Sequence, residues 1–260
     1  MLVNSKKAYK NATAIIGIDC ATQEAKRGLA YGLLKDHKLT ITDVASCSPA
    51  NPSQEIVSSW LNRGYFTLLA LDAPLGWPVA MSEKLPSHKA GESLELEDND
   101  RMFLRETDFV IWKECNKKPL EVGASLIART ATSALEILQN LRKRQNLAIP
   151  LAWEMGNIAE TCAIEVYPAA TLAARGIVFS GYRKGKAGET RRLQIIENLN
   201  RSYDLEIQNP QIAQAANSPD SLDAVVCVLA GADFLRAKCI PIPDKLRDIA
   251  RKEGWIWVKK

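Results

Sequence analysis

The chain has 260 residues, 47% of them hydrophobic and 25% charged, with a net charge of +4. That length and apolar content suffice for one substantial core, so the reading is one domain over residues 1–260. So mild a basic excess permits contact with nucleic acid without demanding it. No apolar run is long enough to span a membrane, and MLVNSKKAYKNATA has no apolar stretch long enough for a signal peptide. Six cysteines without a C-x-x-C pair, and only His37 and His88 as imidazoles, exclude an ordinary zinc site and fit a reducing cytoplasm.

In chain order, Ala14 to Cys20 (AIIGIDC) reads as a strand buried on both faces and ending at a carboxylate. Weaker strands over Gly28–Leu34 and Leu39–Ser46 flank a polar turn, and Ser53–Arg63 reads as an amphipathic helix. Thr67–Asp72 (TLLALD) is a second buried strand, broken at once by Ala73-Pro74-Leu75-Gly76-Trp77-Pro78. Ser82–Asn99 is a polar, acidic excursion inside a wider insertion expected around residues 79–123. Leu126–Asn146 reads as a long helix, Thr161–Val166 (TCAIEV) as a third buried strand and Pro168–Ala174 as a short helix. A basic, glycine-rich loop follows over Gly181–Gly188, then helices over Glu189–Leu199 and Pro219–Ala237, and a last strand over Trp255–Val258. Ser218 and Pro219 form an N-terminal signal for the last of those helices. An early strand meander followed by alternating helices and strands gives an α/β mixed sheet flanked by helices.

Three apolar strands each deliver a carboxylate at or near the C-terminal end: Asp19, Asp72 and Glu165. A buried carboxylate is costly unless paired or bound to metal, so three of them point to a shared site at the sheet edge. The late helix adds Asp220 and Asp223, three residues apart on one face; beyond Asp223 it is almost wholly apolar. Carboxylates without histidine or paired cysteine favour a hard cation, Mg2+ or Mn2+, and two such ions about 4 Å apart clamp a phosphoryl displacement. Set against this, Asp220 is equally a helix-end charge, Asp19 and Asp72 could cap turns, and Glu165 could sit in a structural ion pair. The basic loop offers Arg183, Lys184 and Lys186, with Arg191 soon after, as a grip on phosphate oxygens, or is a solvated surface loop. Arg105 is a further candidate for substrate contact, the competing reading being ion pairing alone.

The stretches Ile16-Gly17-Ile18-Asp19, Leu71-Asp72-Ala73-Pro74 and Asp220-Ser221-Leu222-Asp223-Ala224, in that order, resemble the RNase H-like superfamily and its RuvC-type branch. With Ile164-Glu165-Val166-Tyr167-Pro168, the Tyr182-to-Lys186 loop and Glu253-Gly254-Trp255-Ile256, nearly the whole chain resembles the DUF429 family, described as predicted RNase H-like nucleases. The resemblance implies an RNase H-like mixed sheet with an inserted loop region, metal ligation by Asp19, Asp72 and Asp223, and completion of the site by Asp220 or Glu165. It also implies a metal-dependent nuclease with nucleic acid as substrate. Two rivals stand beside that expectation. One is a non-catalytic nucleic-acid-binding or regulatory protein of the same fold. The other is a nucleotide-binding phosphotransferase of the actin and sugar-kinase type, suggested by Asp19-x-x-Thr22 but lacking a second phosphate loop. DNA versus RNA and oligomeric state stay open.

Overall fold

The computed structural model describes residues 12–94, 98–123, 125–202 and 205–260, and the side chains of these except Ser125, Lys186 and Ser202. The amino-terminal lysine segment and part of the acidic excursion lie outside the described residues.

The first half of the chain holds β1 (Ala12–Asp19), β2 (Gly28–Lys35), β3 (Lys38–Ser46), α1 (Ser53–Leu61), β4 (Thr67–Asp72), α2 (Val79–Lys84), α3 (Glu106–Cys115) and α4 (Ser125–Gln145). The second half holds β5 (Cys162–Glu165), α5 (Pro168–Ala173), α6 (Gly185–Ser202), β6 (Leu205–Ile207), α7 (Asn209–Asn217), α8 (Pro219–Leu235) and α9 (Arg247–Glu253). Among the described residues the strands form one sheet in the order β5-β4-β1-β2-β3-β6. β1, β2 and β3 make an antiparallel meander, while β4 and β5 add to β1 in parallel. A meander extended by parallel strands, with helices on both faces, is the α/β mixed sheet flanked by helices that the sequence leads one to expect.

Alternation along the strands sorts the apolar side chains into two layers. Ala14, Ile16, Ile18, Leu69 and Leu71 pack with Val57 and Trp60 of α1 and with Ile137, Leu138 and Leu141 of α4. Ile15, Leu68, Ala70 and Ile164 pack on the other face, against α8. From Ser221 to Leu235 every residue of α8 is buried, so this helix lies inside a layer rather than on the surface. Two glycines let it approach the sheet backbone. A Cβ on Gly17 would lie 2.0 Å from the Ala224 carbonyl oxygen, and one on Gly28 would lie 1.9 Å from that of Asp220. Gly28 pairs with Asp19 across the β1–β2 ladder. The close contact therefore pins the first turn of α8 beside the carboxyl end of β1.

Three expectations need correction. Trp255–Val258 forms no strand: the tail pairs only through isolated bridges, Ile256 to Glu165 and Lys259 to Cys239, while the Ile256 amide also donates to the Thr107 hydroxyl at 2.9 Å. The glycine-rich loop is shorter than its composition suggests, because α6 already begins at Gly185. The edge strand β6 went unrecognised, since three residues carry too little periodicity. No helix among the described residues is long and apolar enough to cross a membrane.

Candidate active site

β1, β4 and β5 run parallel, so their carboxyl ends meet at one edge of the sheet. Asp19 and Asp72 are register partners. Asp19 shares the parity of Ile15 and Gly17, and Asp72 that of Leu68 and Ala70, so both project toward α8. Asp223, fully buried, enters from the second turn of that helix, and Asp220 stands half-buried in the first. Ser218 caps the helix by accepting from the Ser221 amide at 3.0 Å.

Burial and neighbouring charge shift these carboxyl groups. Burial raises the Asp19 carboxyl well above the ordinary carboxylate range, and the charges of Asp72, Asp223 and Asp220 raise it further. Burial, then Asp223, raises Asp72. Asp223 is pushed up to about 6 by burial, with Arg183 and the Tyr182 hydroxyl pulling the other way. Burial also raises Asp220. Ionised together, these groups would repel one another, so the cluster holds protons or calls for a positive charge.

Part of the compensation is internal. The Tyr182 hydroxyl donates to Asp223 Oδ1 at 2.8 Å, and the Arg183 guanidinium meets Oδ2 at 2.5 Å. Tyr182 is itself fixed by buried Arg192, whose Nη1 donates to the Tyr182 carbonyl at 2.6 Å while Nε holds the Ala216 carbonyl. The Arg183 side chain is 58% exposed, so this counter-charge is held from the solvent side.

Glu165 stands apart for a reason of register. It pairs with Leu71, so it projects to the face opposite Asp72. There Arg105 grips it through Nη1 at 2.9 Å and Nη2 at 2.6 Å, and the Leu75 amide donates to Oε2 at 2.9 Å. Arg105 also donates to Asp108 from Nε and Nη2 and to the Glu253 carbonyl from Nη1. All five guanidinium N–H groups are thus engaged within the protein. Arg105, which also lines the cavity described below, therefore spends its donors on these partners. It holds Glu165, and through the Leu75 amide it fixes the turn that follows Asp72. Glu253 closes the network by accepting from the Val79 and Glu106 amides, each at 2.7 Å.

A cavity of about 700 Å3 opens on this edge, with Asp19, Asp72, Glu165, Tyr182, Arg183 and Lys184 among its lining residues. Arg191 instead turns along α6 to Gln194, and the Lys186 side chain lies outside the described residues. Lys117, Lys118 and Phe179, which the sequence does not single out, also line the cavity, as does Tyr167, noted there only within the Ile164-to-Pro168 stretch. Only their neighbourhood to recognised motifs, Tyr167 beside Glu165 and Phe179 before the basic loop, could have flagged them.

Oxygen donors whose mutual repulsion calls for a positive charge fit a hard divalent cation. The fit is one of donor type and charge rather than of a finished cage, because among the described residues no three such side chains stand close enough to hold an ion.

No curated protein matches this chain. One solved structure that is similar is described as T. thermophilus RuvC in complex with Holliday junction substrate. It is 12% identical, with 85% of this chain and 94% of that chain covered and a TM-score of 0.32. Residues 17–247 match the model of the family described as protein of unknown function, DUF429, and the chain belongs to that family.

Proposed function

We propose that this protein is a metal-dependent nuclease that hydrolyses phosphodiester bonds at the carboxyl edge of the sheet. The carrying observation is the register of Asp19 with Asp72 on the face that α8 covers, with Asp223 opposite. Asp19, Asp72 and Asp223 would hold Mg2+ or Mn2+, with Asp220 adding negative charge beside them. Bound there, the cation supplies Lewis-acid stabilisation of the charge that develops on the phosphate. The Tyr182 hydroxyl orients the Asp223 carboxylate. Arg183, more than half exposed, pairs with Asp223 and lies over the Tyr182 ring, and would offer its guanidinium to a phosphate oxygen at the same edge. Lys184 adds positive potential at the mouth. Glu165, Arg105 and Asp108 act by positioning, holding the turn after Asp72.

The test is a panel of single-stranded, duplex and junction DNA and RNA with Mg2+ or Mn2+, using wild type and Asp19→Asn. Cleavage by wild type that Asp19→Asn abolishes supports the reading, and no cleavage of any substrate refutes it. The ion pair of Arg183 with Asp223 favours a second reading, in which the same edge binds nucleic acid without turnover. Saturable binding with every substrate intact after prolonged incubation selects that reading.

A further inference from the structure

The cavity brings together three kinds of lining residue: the carboxylates Asp19 and Asp72, the cations Lys117, Lys118, Arg183 and Lys184, and an apolar wall that includes Tyr167, Phe179 and Ile127. Metal chemistry and phosphate neutralisation explain the carboxylates and the cations, and neither uses the wall.

Phe179 packs against the α8-side core, is only half-buried and lines the cavity. Tyr167 is half-buried on the segment leaving β5. The Lys117 ammonium stands 5.9 Å from the Phe179 ring centroid. A cation and an aromatic ring lining one cavity offer partners to the phosphate and the base of one nucleotide, the flexible Lys117 stem letting its ammonium move off the ring to the phosphate. The volume, about 700 Å3, falls among small-ligand sites and leaves no room for a paired helix. Inside a duplex the base faces are covered by neighbours, so only an unpaired, unstacked nucleotide offers a face to an aromatic wall.

We infer that the cavity takes one unstacked nucleotide, its base against Phe179 and Tyr167 and its phosphate held by the lining cations beside the carboxylates. The inference rests on the nuclease reading for the placement of the phosphate, and it narrows the substrate to a nucleotide free in solution or at an unpaired strand end. The stacking wall and the reacting edge are then separable parts of one site.

The test is titration calorimetry of the full chain, in Mn2+, with 5′-AMP, a nuclease-resistant single strand and a blunt duplex of the same sequence. The single strand, the mononucleotide or both bind at least about 10-fold more tightly than the duplex. Phe179→Ala weakens that binding by about 5- to 150-fold, the range of one lost base stack, and Phe179→Trp retains it. Thermal melting of each variant checks that the fold is intact. A mononucleotide as tight as the strand identifies a free nucleotide as the ligand, and a tighter strand identifies an unpaired end. Duplex binding equal to single-strand binding, or unchanged binding by a folded Phe179→Ala, overturns the inference. Cleavage within duplex that Phe179→Ala leaves intact would sink the stacking wall and spare the nuclease reading. Base-dependent binding with no cleavage of any substrate would do the reverse.

Discussion

Replacing Arg105 by Met removes a guanidinium that is 1% exposed and engaged at all five N–H groups. Methionine follows much of the same stem but leaves the carboxylates of Glu165 and Asp108 buried without their cation. Breaking a buried pair from one side costs about 3–5 kcal/mol, mostly the penalty of the orphaned charge. That penalty depends on pH. Burial already raises the Glu165 carboxyl, with Arg105 opposing. Without Arg105 the carboxyl rises further, and protonation relieves the repulsion. The deficit against wild type is therefore largest near pH 8 and shrinks toward pH 5. Urea unfolding of both proteins at the two pH values reads it directly. Arg105→Lys recovers only part, because a point charge with three donors cannot span two carboxylates and a carbonyl. The same variants lower divalent-cation affinity by about 10- to 100-fold, since the turn after Asp72 loses its anchor at the Leu75 amide. A deficit below about 1 kcal/mol at pH 8, or one independent of pH, refutes the reasoning.

Other outcomes follow from the same geometry. Asp223 titrates near 6 against an ordinary 3.8, so the stability it contributes is fully present below pH 3.8 and is lost as pH rises through 6. The loss is about 3 kcal/mol at most, and unfolding of metal-free wild type and Asp223→Asn across pH 4–8 measures it. Saturating Mn2+ raises the melting temperature of wild type at pH 8 and much less at pH 5, where protons compete for the same carboxylates. Tyr182→Phe removes a hydrogen bond to a charged group, about 1.5–3 kcal/mol, and weakens Mn2+ binding in calorimetry. Gly28→Ala drives a methyl into the Asp220 carbonyl, destabilises by about 1–3 kcal/mol or more in urea unfolding, and weakens Mn2+ binding by moving the first turn of α8.

How much of this was legible in the chain depends on the range of the physics involved. Buried strands declare themselves through unbroken apolar runs, so β1, β4 and β5 and their terminal carboxylates stand out in the sequence. The start of α8 is equally plain, because Ser218 and Pro219 are local signals. Register is not local. Glu165 has the same sequence context as Asp19 and Asp72, but pairing with Leu71 rather than with an aspartate sends it to the other face. Arg105 is sixty positions from Glu165, and a fork geometry that satisfies both Glu165 and Asp108 leaves no trace in spacing. The Tyr182 hydroxyl on Asp223 is invisible for the same reason. The tail over Trp255–Val258 reads as a strand because it is apolar, yet its neighbours leave it only single bridges.

The central claim is that the carboxyl edge of β1 and β4, with α8, holds a divalent cation. Mn2+ titration calorimetry on wild type and Asp19→Asn tests it most directly. The account predicts saturable binding by wild type that the variant loses while keeping its fold. Equal binding by the two proteins, or none by wild type, contradicts it.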